Sequence, residues 1–195
     1  MLKNLLTSFL LLNSLFSFAQ SKNEKVEYRI RRATSPLKID GIVDEKAWAD
    51  AQLATDFYQV LPMDTSYAKV RTDVKMTYDD KNLYVVFINY DKLPGPYMVE
   101  SLKRDFNFGK NDNDLLFIDT FDDQTNGFSF GANAMGAQWD GLMFNGSNIS
   151  LTWENKWTSE VKYDDEKWVW ECAIPFKTLR YKKGIKRWGI NFSRL

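Results

Sequence analysis

The strongest constraint on this chain is a series of short segments with alternating apolar and polar residues, separated by Gly, Asp and Asn. Successive side chains of a strand point to opposite faces, so a period of two marks a strand with one buried face. Residues 70–78 alternate in this way, and a mostly apolar run over 83–90 follows Asp79-Asp80-Lys81-Asn82. Asp and Asn tolerate left-handed backbone and bond their own backbone, so this tetrapeptide predicts a hairpin turn. Further strands are expected over 26–32, 115–121, 128–130, 138–144, 157–163, 168–174 and 188–192, with Asp164-Asp165-Glu166-Lys167 as a second hairpin turn. About nine short strands at intervals of roughly 8 to 12 residues have the spacing of a sandwich or barrel. The connections are too short for helical crossovers, so the sheets should be antiparallel. One short helix is expected over 44–51, with Asp44 as its N-cap and Ala47, Trp48 and Ala51 on one face. The expected fold is therefore all-β, an antiparallel, jelly-roll-like β-sandwich of about nine strands with one short helix.

The N-terminus has a different pattern. Lys3 precedes a largely apolar run over 5–18, and Ser17-Phe18-Ala19 ends it in a small residue. That is the plan of a secretory signal peptide over 1–19, cleaved after Ala19. The run is shorter than the about 20 residues that span a bilayer. Residues 20–25 are polar and read as a disordered linker, which leaves 26–195 as one domain. The expected location is outside the cytoplasm, in the periplasm, at the outer membrane or on the cell surface.

Composition narrows the function. There is no His, which removes the commonest general base and metal ligand and the Ser-His-Asp triad. Cys172 is the single cysteine, so neither a disulfide within the chain nor a cysteine zinc site can form. No paired-carboxylate motif of a glycoside hydrolase stands out. The mature chain would hold 25 basic residues against 26 acidic, and this even balance argues against nucleic acid and anionic membrane surfaces. Aromatic residues make up 15% of the chain, with seven Trp, enough to ask whether some face a ligand.

Four segments together resemble the family 9 carbohydrate-binding modules. They are Ile39-Asp40-Gly41-Ile42-Val43-Asp44-Glu45-Lys46-Ala47-Trp48, the hairpin Tyr78-Asp79-Asp80-Lys81-Asn82-Leu83-Tyr84, the strand Asn113-Asp114-Leu115-Leu116-Phe117-Ile118-Asp119-Thr120, and Trp170-Glu171-Cys172-Ala173-Ile174-Pro175-Phe176 followed by Trp188-Gly189-Ile190-Asn191-Phe192. The resemblance covers about residues 26–195. Arg104-Asp105, Gln138 with Asp140, and the ending Phe192-Ser193-Arg194 are similar to a subgroup in Bacteroidota envelope proteins, where such a domain precedes an outer-membrane β-barrel. The resemblance implies a non-catalytic module that recognises a glycan, and a C-terminal β-barrel region of the same protein as partner. The alternative is a structural or gating domain of such a barrel protein without sugar binding. It also implies positions for sugar contacts: a stacking aromatic, a carboxylate and an arginine, which here are Gly109, Leu115 and Gly131.

The long connection over 91–113 is where a rigid sandwich would carry a binding site. Arg104, Asp105, Phe106 and Phe108 from it, with Trp139 and Asp140, form the expected ligand-binding set. The competing reading of Arg104-Asp105 and Trp139-Asp140 is a salt-bridged group that orders the loop. Trp139, Trp153 and Trp157 lie near loops and could line a face or fill the core. Asp112, Asp114, Asp119, Asp122 and Asp123 form the densest acidic group. Calcium takes several carboxylate and carbonyl oxygens at about 2.3–2.6 Å, and the resemblance implies structural calcium, so these five are the expected metal residues; solvated turn acids are the other reading.

Overall fold

The computed structural model describes residues 26–63, 66–90 and 95–195. The expected signal peptide and linker lie outside the described residues. The elements run β1 (Arg31–Arg32), α1 (Lys46–Asp50), β2 (Leu53–Ala54), β3 (Thr72–Tyr78), β4 (Asn82–Tyr90), β5 (Asn113–Asp119), β6 (Gly127–Asn133), β7 (Gln138–Phe144), β8 (Asn148–Ser150), β9 (Thr158–Tyr163), β10 (Lys167–Pro175) and β11 (Gly189–Arg194). The strands form two sheets. One has the order β1-β3-β4-β10-β9, with β2 also on β3; the other has the order β11-β5-β6-β7-β8. The nine expected strands are present in shifted form, and β2 and β8 are additional, each too short to show a period.

Two expectations need correction. The strand over 26–32 shrinks to β1, which pairs with β3 in parallel, against the expectation of purely antiparallel sheets. Asp44 does not cap the helix. Glu45 holds the N-cap position without a side-chain cap bond, and the Ser35 hydroxyl accepts the Ala47 N–H at 3.1 Å. The cap thus comes from a residue 12 positions upstream.

The turns follow one local rule. Asp79 Oδ1 accepts the N–H groups of Lys81 and Asn82, both at 2.7 Å. Asp164 Oδ1 does the same for Glu166 and Lys167 at 2.9 Å, and Asp123 Oδ1 for Thr125 and Asn126 at 2.8 Å. Each carboxylate replaces a backbone acceptor and closes the turn.

The main core lies between the sheets. Val74, Met76, Val85 and Phe87 from one sheet, with Trp168, Trp170, Cys172 and Ile174, meet Leu116, Ile118, Phe128 and Phe130 of the other. The alternate residues of β4 and β10, Tyr84, Val86, Val169 and Ala173, face outward yet are also buried, under Trp48, Leu37 and Ile39. The N-terminal segment therefore covers the outer face of the first sheet, which is why β4 reads as a nearly continuous apolar run.

A buried carboxylate holds that cover in place. Glu171, fully buried on β10, accepts the N–H groups of Asp40 and Gly41 and the indole N–H of Trp48, each at 2.9 Å. Burial pushes the Glu171 carboxyl up from its ordinary value, and the three donors pull it back. Gly41 has φ +74°, and a Cβ there would lie 2.9 Å from Lys162 Cβ, so only glycine brings this N–H to the carboxylate. We predict that Glu171→Ala lowers stability by about 2–4 kcal/mol, because it leaves three buried donors without an acceptor. Urea denaturation monitored by tryptophan fluorescence measures it.

Candidate functional site

The segment 104–106 straddles the edge of β7. Strand β8 pairs only with Leu142–Phe144, so the start of β7 is open, and the Asp105 N–H donates to the Gln138 carbonyl there at 2.9 Å. Asp105 takes φ 57° to make the crossing. Arg104 then turns to the inner side of the sheet and Phe106 to the outer side. Arg104 pairs with Asp140 and donates to Gln138 Oε1 at 2.7 Å and to the Asn155 carbonyl at 3.2 Å. Asp140 is fully buried and accepts the Asn155 N–H at 3.1 Å, while Gln138 reaches Ser159 of β9 at 3.1 Å. Burial raises the Asp140 carboxyl and the Arg104 charge opposes it. This group seals the side of the sandwich between β7 and β9.

The expected ligand set is thus brought together, but most of it points inward. Phe106 and Trp139 are buried, and with Leu115 and Ala137 they form a small cluster on the outer face of the second sheet. Trp157 is buried in the main core, and Trp153 packs against Phe128 and Phe130, so neither lines a ligand face. Phe108 differs. It is 50% exposed and stands edge-on to Trp139 at 6.2 Å, on the rim of the same outer face.

Three buried asparagines, which sequence reasoning missed, seat that loop. Asn111 accepts the N–H of Glu100 at 2.9 Å and donates to the Asn107 carbonyl at 2.7 Å. Asn113 donates to the Phe108 carbonyl at 2.7 Å, and Asn133 to that of Ser101 at 2.7 Å while accepting the Ala137 N–H at 2.9 Å. A carboxamide can satisfy several backbone groups at once. Asparagine is common on surfaces, so its sequence position carries no signal of this burial.

The positions expected to grip a sugar are closed. Leu115 and Gly131 are register partners on the outer face. A Cβ on Gly131 would lie 2.4 Å from Leu115 Cδ2 and 2.6 Å from the Asp114 carbonyl, so Leu115 occupies the space of a larger side chain. Gly109 lies in the exposed 3-10 turn Phe108–Lys110.

The five aspartates do not form one shell. Strand β5 separates Asp112 and Asp114 from Asp119, Asp122 and Asp123 by about 20 Å at ~3.3 Å per residue. Asp119 already accepts the N–H groups of Phe121, Asp123 and Gln124, and Asp112 accepts that of Met98. Among the described residues, no three acidic or cysteine side chains are grouped to hold a metal. The residues present do not fit a single calcium site built on this set. Asp114 instead faces inward, fully buried, accepting from the Asn89 side chain, which itself accepts from Thr72 at 3.2 Å. Burial pushes the Asp114 carboxyl up to about 8, opposed by Asn89 and the Arg194 charge.

Two predictions follow from these buried acids. Arg104→Ala strands Asp140 and should cost about 3–5 kcal/mol, with faster hydrogen exchange over 98–111. Folding retains the Asp114 proton that the unfolded chain releases at about 3.9, so this group lowers stability progressively from pH 4 to pH 8 and is constant above. Asp114→Asn should therefore gain melting temperature relative to the parent as pH rises through that window, read by thermal scans between pH 4 and 8.5.

Comparison with known proteins agrees with this architecture. The family model described as carbohydrate family 9 binding domain-like matches residues 39–194. A family 9 carbohydrate-binding module of Caldicellulosiruptor kristjanssonii in complex with cellotriose superimposes with a TM-score of 0.57 at 16% identity, covering 85% of this chain and 75% of that one. Its complex with glucose gives 0.56 at 16% identity, covering 85% and 76%. A Bacteroides uniformis protein for which carbohydrate binding is inferred gives 0.65 at 9% identity, covering 85% and 81%. No curated protein matches in sequence. At these identities the solved structures establish the fold, a β-sandwich. The sequence match over 39–194 spans most of the chain, and the protein therefore belongs to the carbohydrate family 9 binding domain-like family.

Proposed function

We propose that the domain is an exported, non-catalytic module that recognises glycans at the outer face of the second sheet, beside Phe108. The observation that carries this reading is the family match over residues 39–194. It is supported by solved modules of the same fold that hold cellotriose and glucose. Phe108 supplies the location. It is a half-exposed ring, held by Asn113 and Trp139, and across the same face Asn191 and Ser193 of β11, the register partners of Phe117 and Leu115, are exposed polar residues. An aromatic ring offers a flat apolar surface to a sugar, and fixed polar groups orient it.

Contacts differ from those that the family resemblance implies. With Leu115 lying over Gly131, the space that these two positions would offer the end of a sugar chain is filled, so the glycan lies flat along the face. Shallow contact of this kind gives modest affinity. The same closure favours a second reading, a structural domain of an envelope β-barrel protein that binds no sugar.

Calorimetric titration with plant, host and bacterial oligosaccharides separates the two. Binding that weakens about tenfold in Phe108→Ala, or ~1.4 kcal/mol, supports the first. Silence across the panel supports the second. Export is checked by sequencing the N-terminus of the cell-envelope protein, expected to begin at Gln20.

A further inference from the structure

The even overall charge conceals one strongly one-sided segment. No acidic residue follows Glu171, and the connection from β10 to β11 carries Lys177, Arg180, Lys182, Lys183, Lys186 and Arg187. All six are exposed. The connection is anchored at its base: the Thr120 hydroxyl donates to the Arg180 carbonyl at 2.5 Å, the Lys182 N–H donates to the Thr120 carbonyl at 3.3 Å, and Leu179 is buried in the main core. The Phe176 N–H donates to the Lys81 carbonyl at 2.8 Å, which brings exposed Lys81 to the same end of the sandwich.

Nearby acids do little to neutralise this group. Among the described residues, Arg187 alone of the six has a carboxylate within ion-pair distance, Asp122 at 3.9 Å between two largely exposed side chains. Asp80 is engaged by Arg32 at 2.5 Å, and Asp123 is folded onto its own turn. Like charges so placed raise the local concentration of anions. Two further features point to a ligand with rings. Tyr181 is 49% exposed and packs on Trp188 at 5.9 Å, which packs on Phe176 at 6.4 Å. Beside them a cavity of about 350 Å³ is lined by Asp80, Lys81, Asn82, Pro175, Phe176 and Lys177, at the lower end of the range for ligand clefts.

We propose that this loop is a second binding site, distinct from the Phe108 face, that takes an anionic polysaccharide. Its cations meet carboxylate or sulfate groups of the chain, and Tyr181 meets the apolar face of a sugar ring. A membrane surface fits less well. Interfacial segments project several large apolar side chains beyond their cations, whereas Leu179 is buried, Ile185 is half-buried and Trp188 is packed against its neighbours, which leaves Tyr181 as the one well-exposed apolar side chain of the loop. Single-stranded nucleic acid calls for successive stacking rings along a basic groove, and this loop exposes one.

Calorimetry on the purified chain tests the proposal, with a galacturonate hexamer, a sulfated galactan oligomer and a neutral cello-oligosaccharide of equal length. At least one anionic oligomer should bind more tightly than the neutral one. That binding should weaken at least tenfold between 0.05 M and 0.5 M salt, because screening shortens the reach of exposed charges. It should weaken at least tenfold in a Lys182→Gln, Lys183→Gln, Lys186→Gln variant with an unchanged melting temperature, and remain unaffected by Phe108→Ala. The proposal is overturned if neither anionic oligomer binds, if the triple variant binds as well as the parent, or if phosphatidylglycerol vesicles or single-stranded DNA bind more tightly at matched charge. The Phe108 face is read separately by the neutral oligomer, so either site can fail alone.

Discussion

The Glu171 carboxylate is the point on which the architecture turns. It lies on β10, inside the first sheet, and reaches donors more than 120 residues earlier in the chain. A buried charge without partners is costly, so this side chain requires the Asp40-Gly41 turn and Trp48 to sit where they do. Once they do, the outer face of the first sheet is closed over its centre, and both faces of β4 and β10 are interior. The two sheets then have different tasks. The first has a centre buried on both faces, and the second keeps an outer surface that the 95–111 segment covers only in part, leaving Phe108 exposed.

Interior polar groups at two other places hold the sheets to one another. Arg104, Asp140, Gln138 and Asn155 close the side between β7 and β9. Thr72, Asn89 and Asp114 join β3 and β4 to β5, and Arg194 donates to Thr72 at 3.2 Å. Apolar packing tolerates small slips, whereas hydrogen bonds between named partners do not. In this molecule they oppose a one-residue shift of any of these strands, which would also turn every core side chain outward.

What was legible in the sequence was local. Asp79 and Asp164 close turns with backbone two and three residues away, so these hairpins are readable from tetrapeptides, and Asp123, expected as a metal residue, closes a turn in the same way. Alternation located β3, β7 and β10 to within two residues. The failures involve distance. The helix cap comes from Ser35, not Asp44, because the chain folds back before the helix begins. Five aspartates close in sequence are divided by the length of β5. Trp139 and Phe106 were expected as ligand residues because they lie in or near the long loop, and loop position does not show whether a side chain is covered; both are buried against each other. Net charge is silent in the same way, since an even sum is compatible with six cations on one loop.

The contact between Leu115 and Gly131 has a consequence for how such a surface changes over generations. With Leu115 at 2.4 Å from where a Cβ would stand, no single replacement of Gly131 by a larger residue fits. Shortening Leu115 alone opens a void with nothing to fill it. Each step by itself is a loss, and because the Asp114 carbonyl lies 2.6 Å from the same Cβ position, even the pair taken together requires β5 to shift before the face accepts a new polar group. The two positions therefore behave as one heritable unit, and the smooth surface between them persists because every one-step path away from it runs downhill in stability.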